Sequence, residues 1–155
     1  MPPHHERTTV RTGRLQLPGK DLLLAAMRDM PHRPHPMLEA AAELATLHHQ
    51  LPTLPQGPET SEINRQRADL MLSIDRFVLF VTPIPQGSTP LHTETIGTII
   101  DRLAWHCTDA YLTHAEDDHA HGMAVLLLHA LADSYEALAE EVTRGIRRLP
   151  TTFHP

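Results

Sequence analysis

An all-α helical bundle is the fold class this sequence predicts, and three observations predict it. Apolar residues recur at a 3.6-residue period through the longest segments. Proline-marked breaks separate those segments. No strand–turn–strand pattern and no internal repeat occurs along the chain. At 155 residues the chain fits one domain with a sizeable core. The expected layout is a flexible N-terminal arm at 1–19, a bundle of three long and two shorter helices at 20–150, and a tail at 151–155.

The arm, "MPPHHERTTVRTGRLQLPGK" up to its last residue, is polar and marked by Pro and Gly. The first short helix begins at Asp21, whose carboxylate is placed to cap the free amides of "LLLAAMRDM". "PHRPHP" ends it, because proline disrupts a helix interior. The second helix is "MLEAAAELATLHHQL", with Pro36 at a favoured first-turn position. Its apolar stripe is Leu38, Ala41, Ala42, Ala45 and either Leu44 or His48. "PTLPQGPETS" is a loop. The third helix, "SEINRQRADLMLSIDRFVLFV", carries Ile63, Leu70, Ile74, Phe77, Val78 and Val81 at helical spacing. After "TPIPQGSTP" the fourth helix starts near Thr93, where Thr-Glu-Thr supplies a cap and an acid suited to the dipole. It runs to about His114. The fifth follows "HAEDDHAHG", starts among Glu116, Asp117 and Asp118, and ends at Arg144, Arg147 and Arg148 before Pro150.

Composition narrows the function classes. Hydrophobic residues make up 41% and aromatics 4%, so Leu, Ala, Ile, Val and Met must do most of the packing. A net charge of −6 and scattered arginines argue against a nucleic-acid partner. No apolar run reaches the length of a membrane span, and the N-terminal stretch lacks the apolar core of a secretory signal. The expected location is therefore cytoplasmic. Cys107 is the sole cysteine, so neither an intramolecular disulfide nor a C-x-x-C pair forms. A single Lys beside abundant Arg, Ala, His and Pro looks like the product of a GC-rich bacterial genome.

Thirteen histidines raise a metal hypothesis. Glu116 with His119, and Asp117 with His121, have the three- or four-residue spacing that puts two ligands on one helix face. Di-iron bundles use Glu-x-x-His twice, with a Glu on each of two further helices. Here the motif occurs once, at a helix junction, so no cofactor is expected and surface polar residues explain it better. His32, His35, His48 and His49 lie beside prolines and read as solvated. His106 and His129 lie within amphipathic helices, as satisfied core histidines or as a general acid or base. Cys107 and His106 point about 100° apart and do not form a dyad. No phosphate loop, H-E-x-x-H or G-x-S-x-G is present.

Two polar faces on consecutive helices are more specific. Asn64, Arg67, Met71 and Asp75 share one face of the third helix. Glu94, Gly97 and Asp101 share one face of the fourth. A short connection makes these helices antiparallel neighbours, which brings Asp75 near Gly97 or Thr98 and Arg67 towards Asp101 and Trp105. Gly97 inside a helix costs about 1 kcal/mol against Ala, so a close helix approach or room for a ligand is expected there. Arg102 and His106 form a second face.

At "NRQRADLMLSID" (Asn64, Arg67, Ile74, Asp75) and "ETIGTIIDRL" (Glu94, Thr95, Gly97, Ile100, Asp101, Arg102, Leu103), the chain resembles the bacterial domain-of-unknown-function family 4254. The resemblance covers about residues 60–112 and implies a helical fold. The family tends to continue with Ser-Ile, then a Lys and a His-Met; this chain has Ala104-Trp105, then Asp109 and Leu112-Thr113.

Three functions are weighed. An accessory subunit that binds and stabilises a larger enzyme, in a specialised-metabolite pathway, needs an exposed apolar face such as "VLFVTPI" or "DLLLAAMRDM". Its partner is a protein, in a hetero-complex or a homo-oligomer. A small enzyme would use Asn64, Arg67, Asp75, Glu94, Asp101 and Arg102 on an anionic small molecule, with Arg67, Asp101 or His106 as catalytic candidates. A metal-binding bundle would use Glu116, His119 and His121.

Overall fold

The computed structural model describes residues 16–113 and 117–151, apart from the Thr113 side chain. It is an all-α bundle of α1 (Lys20–Met27), α2 (Pro36–Gln50), α3 (Pro58–Val81), α4 (Ile96–Thr108) and α5 (Asp118–Thr143). A 3-10 turn (Leu51–Thr53) follows α2, and a π-helical turn (Asp109–Thr113) extends α4. Among the described residues the extended pairing is one parallel bridge, Leu91 to Arg148. There the His92 N–H donates to Arg148 O and the Arg148 N–H to Pro90 O, which ties the α3–α4 connection to the chain after α5.

Helix ends follow from local chemistry and correct several expected boundaries. α1 starts at Lys20, with Asp21 in its first turn and no side-chain cap of its own. Its first amide, Lys20 N–H, is taken by Glu136 Oε1 of α5 at 3.3 Å, so the cap comes from another helix. α1 closes in a Schellman motif, with Met30 N–H donating to Ala25 O and Asp29 N–H to Ala26 O. That geometry puts Asp29 at φ 59°, a left-handed conformation usually left to Gly or Asn. α3 begins at Pro58 rather than Ser61, by the first-turn proline rule that also starts α2 at Pro36. α4 begins at Ile96 rather than Thr93, because the Thr95 side chain accepts the Thr98 N–H and so is the cap. Asp117 caps α5 by accepting from the amides of His119 and Ala120.

α4 is the centre of the bundle, packing on α1, α2, α3 and α5. Seven of its thirteen residues are buried, which leaves it few solvent-facing positions. Ile96, Ile100 and Leu103 meet Leu44 of α2, Ile74 and Val78 of α3, and Leu128 and Tyr135 of α5 in one apolar core. The α2 stripe holds both of its alternatives, since Leu44 and His48 are each buried.

Two expectations about solvated segments change. Residues 16–19, assigned to the arm, are docked: Tyr135 donates to Pro18 O at 2.7 Å and His35 Nε2 to Gln16 O at 2.8 Å. Residues 1–15 and 152–155 lie outside the described residues. His35 is buried rather than solvated. It is the cap of α2, its Nδ1 accepting the Met37 N–H, with its ring edge against Phe77. Burial lowers the His35 pKa, opposed by the hydrogen bond to Gln16, so the neutral ring that accepts at Nδ1 is the favoured form.

Candidate functional site

The α3–α4 hairpin and α2 converge on Asp101. Arg67 Nε and Nη2 donate to Asp101 Oδ1 and Oδ2 at 3.1 and 2.7 Å, a bidentate pair. Arg67 Nη1 donates to Asn64 Oδ1 at 2.8 Å, which orients the guanidinium from one turn away. His48 of α2 completes the set, its Nε2 donating to Asp101 Oδ1 at 2.8 Å. Burial alone would raise the Asp101 carboxyl, but hydrogen bonds from His48 and Arg67 outweigh it and hold the pKa below its ordinary value.

A second contact lies near the start of α4. The Asp75 carboxylate accepts the Gly97 N–H at 2.7 Å and a hydrogen bond from the Thr95 side chain, capping the helix from α3. Here burial wins, and the Asp75 pKa is raised above its ordinary value despite those hydrogen bonds. The fold therefore favours a neutral group at this position. Asp75→Asn, which keeps an acceptor for Gly97, is expected to melt within about 1 kcal/mol of wild type at neutral pH. Asp75→Ala leaves a buried N–H unpaired and should lose about 1–3 kcal/mol. Thermal melts followed by circular dichroism separate the two; equal losses would refute the capping role.

The two polar faces thus meet as the hairpin arithmetic anticipates, with two changes. Glu94 does not join them. It precedes the cap Thr95, outside the helix, and turns to Arg102, which donates to both of its carboxylate oxygens. His48, read as solvated, is 4% exposed and does join. Its position three residues after Ala45 and four after Leu44 was the available signal, since that is the buried stripe of α2.

His106 lies apart from the Asp101 set, with its ring against Trp105. Burial lowers its pKa, with Asp109 opposing and Arg102 assisting. His129 is exposed rather than in the core. His119 is exposed, and His121 Nδ1 bonds to Ala110 O with its ring against Tyr111. Glu116 lies outside the described residues, and among those described no group of three or more His, Cys, Asp or Glu is arranged to hold a metal ion.

The Asp101 set holds groups that could bind an anion and move a proton. However, Asp101 and Asn64 already take three of the five Arg67 N–H donors, and Asp101 neutralises the charge an anionic ligand would seek. Among the described residues no buried side-chain nitrogen or oxygen lacks a hydrogen-bond partner. The chemistry supported here is that of a self-satisfied link between three helices.

Comparison with known proteins bears on the same residues. A family model described as "Protein of unknown function (DUF4254)" matches residues 59–151, which takes in nearly all of α3 and the whole of α4 and α5. α1 and α2, and with them His48, precede the matched region. No curated protein and no solved structure matches the chain. The matched region covers more than half of the chain and contains both polar faces of the α3–α4 hairpin, and the chain belongs to the DUF4254 family.

Proposed function

We propose that the protein is a small accessory subunit that binds and stabilises a larger enzyme. The observation that carries this reading is an apolar surface around the C-terminal end of α3. Leu79 is 51%, Phe80 80%, Ile84 94% and Leu91 61% exposed. Single exposed apolar residues are ordinary, but a run of large ones beside a groove marks a surface that is covered in use. Val78, Leu79, Pro83, Ile84, Val142 and Leu149 line a groove of about 540 Å³ next to it. Arg147, paired with Glu141, and Arg148, which donates one N–H to Gln86 O, also line it, and the Arg148 charge suits a partner whose apolar side chains are flanked by an acidic one. The alternative face, "DLLLAAMRDM", is largely used internally, since Leu23, Leu24, Ala26 and Met27 are buried.

The proposed setting is a specialised-metabolite pathway in a bacterial cytoplasm. The arginine-, alanine- and histidine-rich composition supports the bacterial origin. No helix among the described residues is long and apolar enough to cross a membrane.

The test is capture from native cells with wild type and with Phe80→Ser/Ile84→Ser, followed by thermal melts of the captured enzyme with and without the subunit. Wild type is expected to retain one larger enzyme and raise its melting temperature. The double variant should lose at least about tenfold in affinity with its own melt unchanged, since both side chains are exposed. A wild-type protein that stays monomeric and captures nothing, or a double variant that binds equally well, overturns the reading.

A further inference from the structure

Two turns along α4 from Asp101, on the same seam with α2, the bundle opens into a pocket of about 480 Å³. That volume lies within the range of small-molecule sites. Its floor is apolar and buried: Met27 from α1, Ala45 from α2 and Cys107 from α4. Its mouth carries Arg28, Asp29, Thr46 and His49, with Thr108, Tyr111 and Leu112 along the side. Two unusual backbone features border it. Asp29 is the one non-glycine residue with positive φ among those described, and Tyr111 and Leu112 belong to the π-helical turn. π turns concentrate at functional sites, because they hold side chains where a regular helix would not, while Asp29 owes its positive φ to the Schellman close of α1.

The polar groups define what fits. The Arg28 guanidinium stacks on the Tyr111 ring, 4.0 Å from its centroid. Stacking occupies a face of the guanidinium and leaves its N–H donors, which lie in the plane. Among the described residues no acceptor takes them. The group is close enough to act on Cys107: burial pushes that thiol up to about 11, and the Arg28 charge opposes the rise. Thr46 and Thr108 donate their hydroxyl protons to Ala42 O and Ala45 O, so Arg28, His49 and the Tyr111 hydroxyl are the side-chain donors left for a ligand. Asp29 at the mouth disfavours a second negative charge. The α1 carbonyls of Leu24, Ala25 and Ala26 already accept backbone N–H groups and do not compete with the ligand head for Arg28.

We infer that this pocket binds a small amphipathic monoanion, an aryl or medium-chain body carrying one carboxylate- or sulfonate-type head. The apolar body rests on Met27, Ala45 and Cys107, and the head meets Arg28 with His49 beside it. This site is independent of partner docking at Phe80.

The test uses anilinonaphthalene sulfonate and its uncharged relative phenylnaphthylamine, titrated by fluorescence into the full chain. Wild type is expected to show one saturable sulfonate site at least about tenfold tighter than that for the neutral probe. Arg28→Met, which keeps the stem but not the charge, should weaken the sulfonate about tenfold and leave the neutral probe unchanged. Occupancy should also slow alkylation of Cys107. Absence of a saturable site overturns the inference, as does sulfonate binding unaffected by Arg28→Met. So does binding that is lost instead in Phe80→Ser/Ile84→Ser, which would put the probe in the other groove.

Discussion

Replacing Asp101 with alanine is expected to lower stability by roughly 3 kcal/mol, a drop in melting temperature on the order of 10 °C. The substitution leaves the Arg67 charge and the His48 N–H facing a cavity, and an uncompensated buried charge typically costs 3–5 kcal/mol. The lower end applies because the Arg67 side chain keeps 24% exposure and can turn towards water. The loss should depend on pH with a definite sign. Asp101 has a folded pKa below its ordinary 3.8, so its contribution is present above that value and fades as pH falls through the folded one. Asp75, with a raised pKa, acts oppositely: the fold loses stability as pH rises through its titration. Asp101→Ala should therefore show a shallower acid limb than wild type, and Asp75→Asn should remove the opposing slope. Chemical denaturation between about pH 3 and 7 reads both. Replacing His48, Arg67 and Asp101 together by Leu, Met and Leu should restore most of the lost stability, because an apolar set carries no desolvation cost. Recovery would assign the network to helix register. An Asp101→Ala protein that melts like wild type would remove the network from the account altogether.

How much of this was legible depends on how far apart the partners lie in sequence. The Arg67–Asp101 and Asp75–Gly97 contacts sit on two helices joined by a short connection, so counting turns from the crossing point finds both. His48 reaches Asp101 from α2, and no short loop sets the register of α2 on α4. Only its place in the α2 stripe hinted at burial. His35 was readable by a rule already in use: a residue directly before a first-turn proline is a cap position, and a histidine with a free Nδ1 can fill it. Glu94 falls outside the helical face because the spacing runs through a bend at Thr93 and Glu94 that precedes the cap Thr95. The resemblance motif ran straight across that boundary, which shows that a motif's period need not be the helix's. The pocket beside Arg28 left no pattern, since it is built from a helix end and a π turn that residue periodicity does not mark.

Gly97→Ala tests the closest contact in the bundle, and local propensity predicts the wrong sign for it. Alanine is favoured over glycine inside a helix by about 1 kcal/mol. A Cβ at position 97, however, would lie 2.3 Å from Met71 O and 2.8 Å from Asp75 Oδ1. The first of these is backbone of α3 and cannot rotate away, so the helices must separate. Separation stretches the Gly97–Asp75 hydrogen bond and, one turn on, shifts Asp101 relative to Arg67. The expected net loss is about 3 kcal/mol, at the upper end for overpacking. Gly122 in α5 is the internal control, because a Cβ there meets nothing within 4 Å. Gly122→Ala should raise stability by up to about 1 kcal/mol through propensity and the unfolded chain's lost freedom. The same substitution in two helices is thus expected to move the melting temperature in opposite directions. If Gly97→Ala melts at or above wild type, α3 and α4 do not approach as closely as the Asp75 cap requires. In that case the α3–α4 face has room for something other than another helix.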